Sequence, residues 1–368
     1  MASVVFFSDL RVTPKENIFF KIASLLDRVD LKSRIKKGNL VAIKMHFGER
    51  GNTAYISPVL IRKIVDAVKG CGGKPFLTDC STLYKLDRGD AVSHLVTAIE
   101  NGFDYAVVGA PLIISDGLKG GSASKVHIDK EIFKYVSIGD DLFYSDNIIS
   151  VAHFKGHELS GFGGTIKNLG MGGASRVGKL QQHSNVNPVI KKKFCIGCGE
   201  CIEWCPKGAL SIEDKKSKID AKICIGCGEC FLICKQGAIQ ANWNETSTIF
   251  QKKMVEYTFG VLKEKEERSI FINFLTHISP ACDCYPCSDV PIVSDIGIVA
   301  SIDPIAIDQA SVDLVNKQVG VKTSALKANL GSGEDKFKGI YPYLDWETQL
   351  DYGEEIGLGV RDYELAIL

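Results

Sequence analysis

The sequence has no surplus of either charge: Lys and Arg together number 44, and so do Asp and Glu. A balanced chain sets up no global field for nucleic acid, which is therefore not an expected partner, and any anion site must be local. Also missing is an apolar run of the roughly 18 to 20 residues that cross a bilayer, so no membrane span is expected. The first residues, MASVVFFSDLRVTPKENIFF, carry no basic stretch ahead of their short apolar run and no small-residue cleavage site behind a longer one; they read as a first strand. Without a secretion signal, the 13 cysteines point to metal ligation in a reducing, cytoplasmic setting rather than to disulfides.

What is present is material for a large core, with 45% hydrophobic and 24% charged residues. Short apolar runs alternate with amphipathic stretches. Leu40 to Met45 opens the series, and Pro58 to Lys69 has helical spacing and ends in Gly70, Gly72 and Gly73. A strand is expected at Pro75 to Asp79, a helix at Asp90 to Asn101, and a further strand at Tyr105 to Gly109. Asn147 to Ala152, Ser269 to Leu275 and Ile292 to Ile302 read as more strands, and Ile305 to Asn316 as a helix introduced by Pro304. This order predicts an α/β fold with a mainly parallel sheet and flanking helices. A small α+β two-cluster ferredoxin-like insert at 191–243 interrupts it, with the host domain at 1–190 and 244–368. The tail from Gly331 shows little periodicity and receives no role.

The cysteine array repeats internally: FCIGCGECIEWCPKGALSI at 194–212 and ICIGCGECFLICKQGAI at 223–239 align almost position for position. Cys195, Cys198, Cys201 and Cys205 form C-x2-C-x2-C-x3-C before Pro206, and Cys224, Cys227, Cys230 and Cys234 repeat the spacing. Two-residue gaps let three thiolates converge on one cubane, with Gly197, Gly199, Gly226 and Gly228 permitting the tight backbone. The fourth cysteine of each run reaches the other cluster. Cys195, Cys198, Cys201 and Cys234 are therefore expected on one 4Fe–4S cluster, and Cys224, Cys227, Cys230 and Cys205 on a second. A zinc site is the alternative, but it uses Cys-x-x-Cys pairs at longer separation and would leave surplus thiolates here. Lys235 replaces the proline of the first repeat without removing a ligand.

Residues 153–183, HFKGHELSGFGGTIKNLGMGGASRVGKLQQH, follow directly on an expected strand. They hold His153, His157 and His183 among glycines, with Lys155, Lys167, Asn168, Arg176 and Lys179. Glycine lets backbone N–H groups approach an anion, and the cations supply charge, so a small anionic substrate or cofactor suits this segment. The competing reading is a surface loop with incidental histidines. A second group is His46 beside Lys44, with Asp79, Cys80 and Ser81 ending the next strand on the same sheet edge.

At these motifs the sequence resembles the domain of unknown function 362 group of iron–sulfur proteins. The resemblance rests on KMHFGERGNTAYISP at 44–58, TDCSTLY at 78–84, HFKGHELSGFGGTIKNLGMGGASRVGK at 153–179, ACDCYPCSDVPIVSDIGIVASIDPIAID at 281–308, and the cysteine array. It implies an α/β host carrying a two-cluster module and a redox role, but no particular reaction. A looser likeness to the nickel-pincer lactate racemase proteins is one of architecture alone.

Cys282, Cys284 and Cys287 form C-x-C-x2-C and could hold a third iron–sulfur cluster or a mononuclear metal, with Cys80 as a candidate fourth ligand; free thiols in a proline-rich turn are the alternative. The leading expectation is an oxidoreductase in which the clusters feed a site built from His46, the 153–183 segment and the 282–287 thiols, with a histidine as proton donor. A ferredoxin or a larger oxidoreductase is the expected redox partner. The rivals are a non-catalytic electron-transfer subunit and a metal or cluster maturation factor.

Overall fold

The computed structural model describes residues 2–84, 86–184, 188–224, 228–240 and 245–368. In chain order its strands are β1 (Ser3–Asp9), β2 (Leu40–Lys44), β3 (Lys74–Asp79), β4 (Leu112–Ile114), β5 (Ala123–His127), β6 (Tyr135–Gly139), β7 (Asn147–His153), β8 (Lys155–His157) and β9 (Gly161–Gly163). There follow β10 (Val189–Ile190), β11 (Leu210–Glu213), β12 (Lys216–Ile219), β13 (Ile239–Gln240), β14 (Ser269–Leu275), β15 (Gly297–Ser301) and β16 (Tyr363–Ile367). Eight strands form one sheet in the order β16-β1-β15-β14-β7-β2-β3-β4. It is mainly parallel; only β15 runs against its neighbours, β1 and β14.

Helices cover both faces, so the central strands β7 and β14 are buried at every residue. Side chains alternate between two cores accordingly. Ala42, Phe271 and Val299 point into one, while Val41, Ile43, Ile270, Ile272, Ile298 and Ala300 point into the other. Strands from both sides of the cysteine-rich stretch meet in this sheet, since β7 pairs with β14.

The helix Pro58–Gly70 forms where helical spacing placed it. Ala91–Glu100 starts at Asp90, whose carboxylate accepts from the Ser93 N–H. Pro304–Asn316 is capped in the same way by Asp303.

Two expectations need correction. Tyr105–Val108 is a helical turn and not a strand: Asp104 accepts from the Ala106 and Val107 N–H groups, and Gly109 closes the turn at φ 72°. The strand lies just beyond, at β4. In the run 292–302 only β15 is a strand; Ile292 and Val293 are buried as a loop, because apolar content reports burial and not extended pairing. The tail, to which the sequence assigned no role, holds helices at Lys336–Ile340 and Thr348–Glu355, adds β16 beside β1, and places Trp346, Leu350 and Tyr352 in the core.

The cysteine-rich stretch holds two small antiparallel sheets, β10 with β13 and β11 with β12, and the short helices Glu200–Glu203 and Glu229–Ile233. Its own small core joins Leu210, Phe231 and Ile239 to Leu83 and Leu180 of the rest of the chain.

Beneath the helix Thr165–Gly170, the buried carboxylate of Asp308 accepts from the N–H groups of Thr165 and Ile166 at 2.8 and 2.9 Å and from Asn273 Nδ2 at 2.8 Å. A Cβ on Gly164 would collide with that carboxylate, so glycine is required there. Burial raises the Asp308 pKa to about 6 despite the three donors. Asp308→Ala leaves buried donors unpaired and should destabilise the fold by roughly 2–4 kcal/mol, read by denaturant unfolding. A change below ~0.5 kcal/mol would contradict this role.

Candidate functional site

The carboxyl ends of the parallel strands β3, β2, β7 and β14 open on one edge of the sheet, where open α/β folds place ligands. A cavity of about 340 Å³ lies there. Lys44 and His46 reach it from β2, Asp79 and Cys80 from β3, and His153, Lys155 and His157 from β7 and β8. Lys167 and Asn168 come from the helix Thr165–Gly170, Lys179 and His183 from the helix Arg176–His183, and Cys282 and Cys284 from the loop after β14.

The floor is a set of buried charges that cannot stand unpaired. Lys44 Nζ lies 3.1 Å from Asp79 Oδ1 and 3.0 Å from Asn168 Oδ1. A Cβ on Gly172 would run into that ammonium, so only glycine lets the backbone pass. Burial pulls Lys44 below its usual pKa, with Asp79 opposing it. Arg88 Nε bonds Glu49 at 3.1 Å, and its Nη1 lies 3.7 Å from Asp79. Arg88 Nη2 is buried and has no hydrogen-bond partner among the described residues.

Asp283 organises one wall. His153 Nδ1 lies 2.9 Å from its carboxylate and Lys155 Nζ 3.1 Å, while His153 Nε2 faces the Thr276 carbonyl at 2.9 Å. Both nitrogens of His153 are thus committed, and Lys155 also donates to the His153 carbonyl at 2.7 Å; these two side chains orient the wall and are not free acids or bases. Burial alone would raise Asp283, but His153 and Lys155 override it and hold the carboxyl below the usual carboxylate range.

The other histidines differ from the expected proton donor. Burial lowers His46, with Arg88 adding to it. It lowers His157 well below its ordinary value and His183 to about 3, Lys167 adding to both. All three are neutral at pH 7. His46 Nδ1 accepts from the Gly48 N–H at 2.9 Å, so its single proton sits on Nε2, 3.5 Å from Cys284 Sγ.

Cys282 Sγ and Cys284 Sγ lie 2.9 Å apart, and Lys167 Nζ is 3.1 Å from Cys282 Sγ. The Cys282 hydrogen bond, with Lys167 and His46 beside it, holds Cys284 well below the ordinary thiol range; the same contact and burial hold Cys282 well above. Lys167 stays above its usual value because the two thiols outweigh the cost of burial.

In the cysteine-rich stretch, sulfurs from different repeats come together. Cys205 of the first repeat lines one small cavity with Cys224 and Cys230 of the second. Cys201 is raised by burial and by the nearby Cys234 and Cys198. Backbone N–H groups point at sulfur: Ala209 at Cys205 (3.2 Å), Ala238 at Cys234 (3.3 Å) and Ser217 at Cys195 (3.3 Å). Gly197, Gly199 and Gly228 are left-handed at φ 69°, 83° and 78°. Cys227 and Gly226 lie outside the described residues.

The model of the family described as "Domain of unknown function (DUF362)" matches residues 41–313. The chain belongs to the DUF362 family. Within that span lie the cavity residues and the whole cysteine-rich stretch. No curated protein matches the chain. Among solved structures, the lactate racemase apoprotein from Thermoanaerobacterium thermosaccharolyticum is 12% identical with a TM-score of 0.35, over 74% of this chain and 51% of that one. This chain therefore spans about half the length of that protein.

Of the residues singled out in the DUF362 sequence, His46, His153, Lys155, His157, Lys167, Asn168, Lys179, His183, Cys282 and Cys284 share the cavity. Arg176 does not line it; its guanidinium lies 4.9 Å from the Phe231 ring, at the joint with the cysteine-rich stretch. Cys287 is exposed and also outside the lining. Among the described residues no three His, Cys, Asp or Glu side chains are arranged to hold a metal ion, and none of the helices is long and apolar enough to cross a membrane. Arg88 and Tyr84 line the cavity without having been singled out. Tyr84 ends the TDCSTLY motif at 78–84, and the only sequence signal of Arg88 is closeness to Asp79.

The depressed Asp283 carboxyl makes stability pH-dependent. Its contribution is complete above the unfolded value near 3.9 and is lost as pH falls below it toward the folded value. Asp283→Asn should lower stability at pH 7 and flatten its fall between roughly pH 4 and pH 2, seen in thermal melts across pH. A parallel pair of pH curves would contradict the pairing.

Proposed function

We propose that this DUF362 protein is a ferredoxin-linked oxidoreductase whose cysteine-rich stretch moves single electrons to a small anionic substrate in the cavity. Cys195, Cys198, Cys201 and Cys234 hold one 4Fe–4S cluster, and Cys224, Cys227, Cys230 and Cys205 the other. The observation that carries this reading is the meeting of Cys205 with Cys224 and Cys230, which crosses the repeats as two-cluster ligation requires. The N–H groups aimed at Cys195, Cys205 and Cys234 fit thiolates bound to iron, since hydrogen bonds to sulfur tune such centres.

When bound, the two clusters supply one electron each. The protein's own residues do the rest. The electrons arrive from a carrier protein that docks on the cysteine-rich stretch. Leu83 belongs both to the core of that stretch and to the cavity wall, and Leu180 packs there from the helix that carries Lys179 and His183. Arg88 Nη2 offers a buried donor to an anionic group, with the ammonium of Lys167 nearby in the lining. Because burial keeps His46, His157 and His183 neutral and His153 is engaged at both nitrogens, Lys167 is the placed acid.

Anaerobically purified protein should carry about eight irons and eight acid-labile sulfides per chain. Crossed ligation predicts that Cys201→Ser and Cys234→Ser disturb one and the same EPR signal of the reduced protein, and that Cys205→Ser and Cys230→Ser disturb the other. Zinc in place of iron, or a fourth cysteine acting on the cluster of its own repeat, would sink the assignment.

A further inference from the structure

The loop after β14 places two thiols in a setting that electron transfer alone does not need. Cys282 and Cys284 are one residue apart in a turn closed by the Tyr285 N–H on the Cys282 carbonyl at 3.1 Å. That turn brings the sulfurs to 2.9 Å, inside van der Waals contact, within a cavity and not in a sealed core. Each sulfur meets its own donors. The Lys167 ammonium at 3.1 Å and the Cys284 backbone N–H at 3.4 Å point at Cys282, and His46 Nε2–H at 3.5 Å points at Cys284. His46 has its other nitrogen engaged by Gly48, so it serves the pair as a hydrogen-bond donor.

We infer that Cys282 and Cys284 are a redox-active dithiol that closes to a disulfide, gathering two single electrons into one two-electron equivalent at the cavity. The supply of those electrons rests on the proposed function; the closure of the disulfide does not. The Cys282–Cys284 S–S bond takes up two electrons, one after the other, from one-electron carriers of the 4Fe–4S class. Cys282 receives one proton from the Lys167 ammonium, and solvent in the cavity replaces it. The S–S bond breaks to leave Cys282 as thiol and Cys284 as thiolate, the state in which the observed hydrogen bonds are satisfied. Two clusters accepting one electron each match one dithiol that carries two.

The chemistry that follows is attack by the Cys284 thiolate on one sulfur of a substrate disulfide, which breaks the substrate S–S bond and releases one half as a thiolate; Cys282 then gives its proton to solvent in the cavity and attacks Cys284 Sγ, re-forming the Cys282–Cys284 bond and releasing the second half as a thiolate. The substrate class this assigns is a small disulfide carrying an anionic group, for which Arg88 is placed. Cys287, exposed outside the cavity lining, takes no part.

The test uses the full-length protein, purified anaerobically and equilibrated with dithiothreitol buffers of stepped potential, quenched in acid and N-ethylmaleimide, and read by peptide mass spectrometry. The expected result is one two-electron transition in which Cys282 and Cys284 lose their maleimides together, while Cys71 and Cys80 are labelled throughout. Cys282→Ser and Cys284→Ser should each abolish the transition with iron content unchanged. Lys167→Gln should slow alkylation of Cys284 near neutral pH, because it removes a cation that favours the thiolate. Labelling of both thiols at every potential overturns the inference. So does protection that a chelator relieves, which would make the pair a metal site. Iron at about eight per chain without the transition rejects the dithiol and leaves electron transfer standing; the transition in protein without iron does the reverse.

Discussion

The structure around the cavity depends on the burial of Lys44 against Asp79. Both side chains are almost wholly removed from water, at 1% and 3% exposure, and neither can be left alone at an energetic cost the fold could tolerate. Their pairing fixes the ends of β2 and β3 relative to each other. Arg88 and Glu49 extend the same network, tying the loop after β3 to the loop after β2. Asn168 extends it the other way: it accepts from Lys44 and donates to the Lys44 carbonyl and to Ser150 on β7, at 2.9 Å each. Three parallel strand ends and the helix behind them are locked by one ion pair and its attendants. The cavity is the space those locked ends enclose.

A second constraint is the shared wall. Leu83 sits one loop away from Asp79 and packs with Leu180, Cys230 and Phe231. The helix Arg176–His183 presents Val177 and Leu180 to Gly228 on one side and Lys179 and His183 to the cavity on the other. Arg176 stacks on Phe231 at the same joint. The cysteine-rich stretch is therefore attached to the part of the α/β body that also builds the cavity.

Much of this was legible in the sequence. The strands at β3, β7 and β14 stood out because sheets covered on both faces need uninterrupted apolar runs, and the helices at Pro58–Gly70 and Pro304–Asn316 carried proline at their starts. The same rule misled at Ile292 and Val293, which are buried without pairing as a strand, and at Tyr105, where the Asp104 cap outweighed an apolar run. In the site, glycines and cations behind a strand marked the 153–183 segment. Arg88 was not legible, because its partner Glu49 lies 39 residues away and neither sits in a pattern. Arg176 looked like its neighbours Lys167 and Lys179, but its guanidinium packs on Phe231 of the cysteine-rich stretch while their ammonium groups line the cavity.

The neutral histidines have a consequence of their own. A site with His46, His157 and His183 would ordinarily change its electrical character near pH 6.5, where imidazole titrates. Here burial and neighbouring cations move that event to more acidic conditions, with His183 at about 3. These three rings therefore act as fixed apolar and hydrogen-bonding surfaces across the physiological range. Titration of these three rings therefore adds no change to the field that a bound anion would feel as the surrounding acidity drifts across that range.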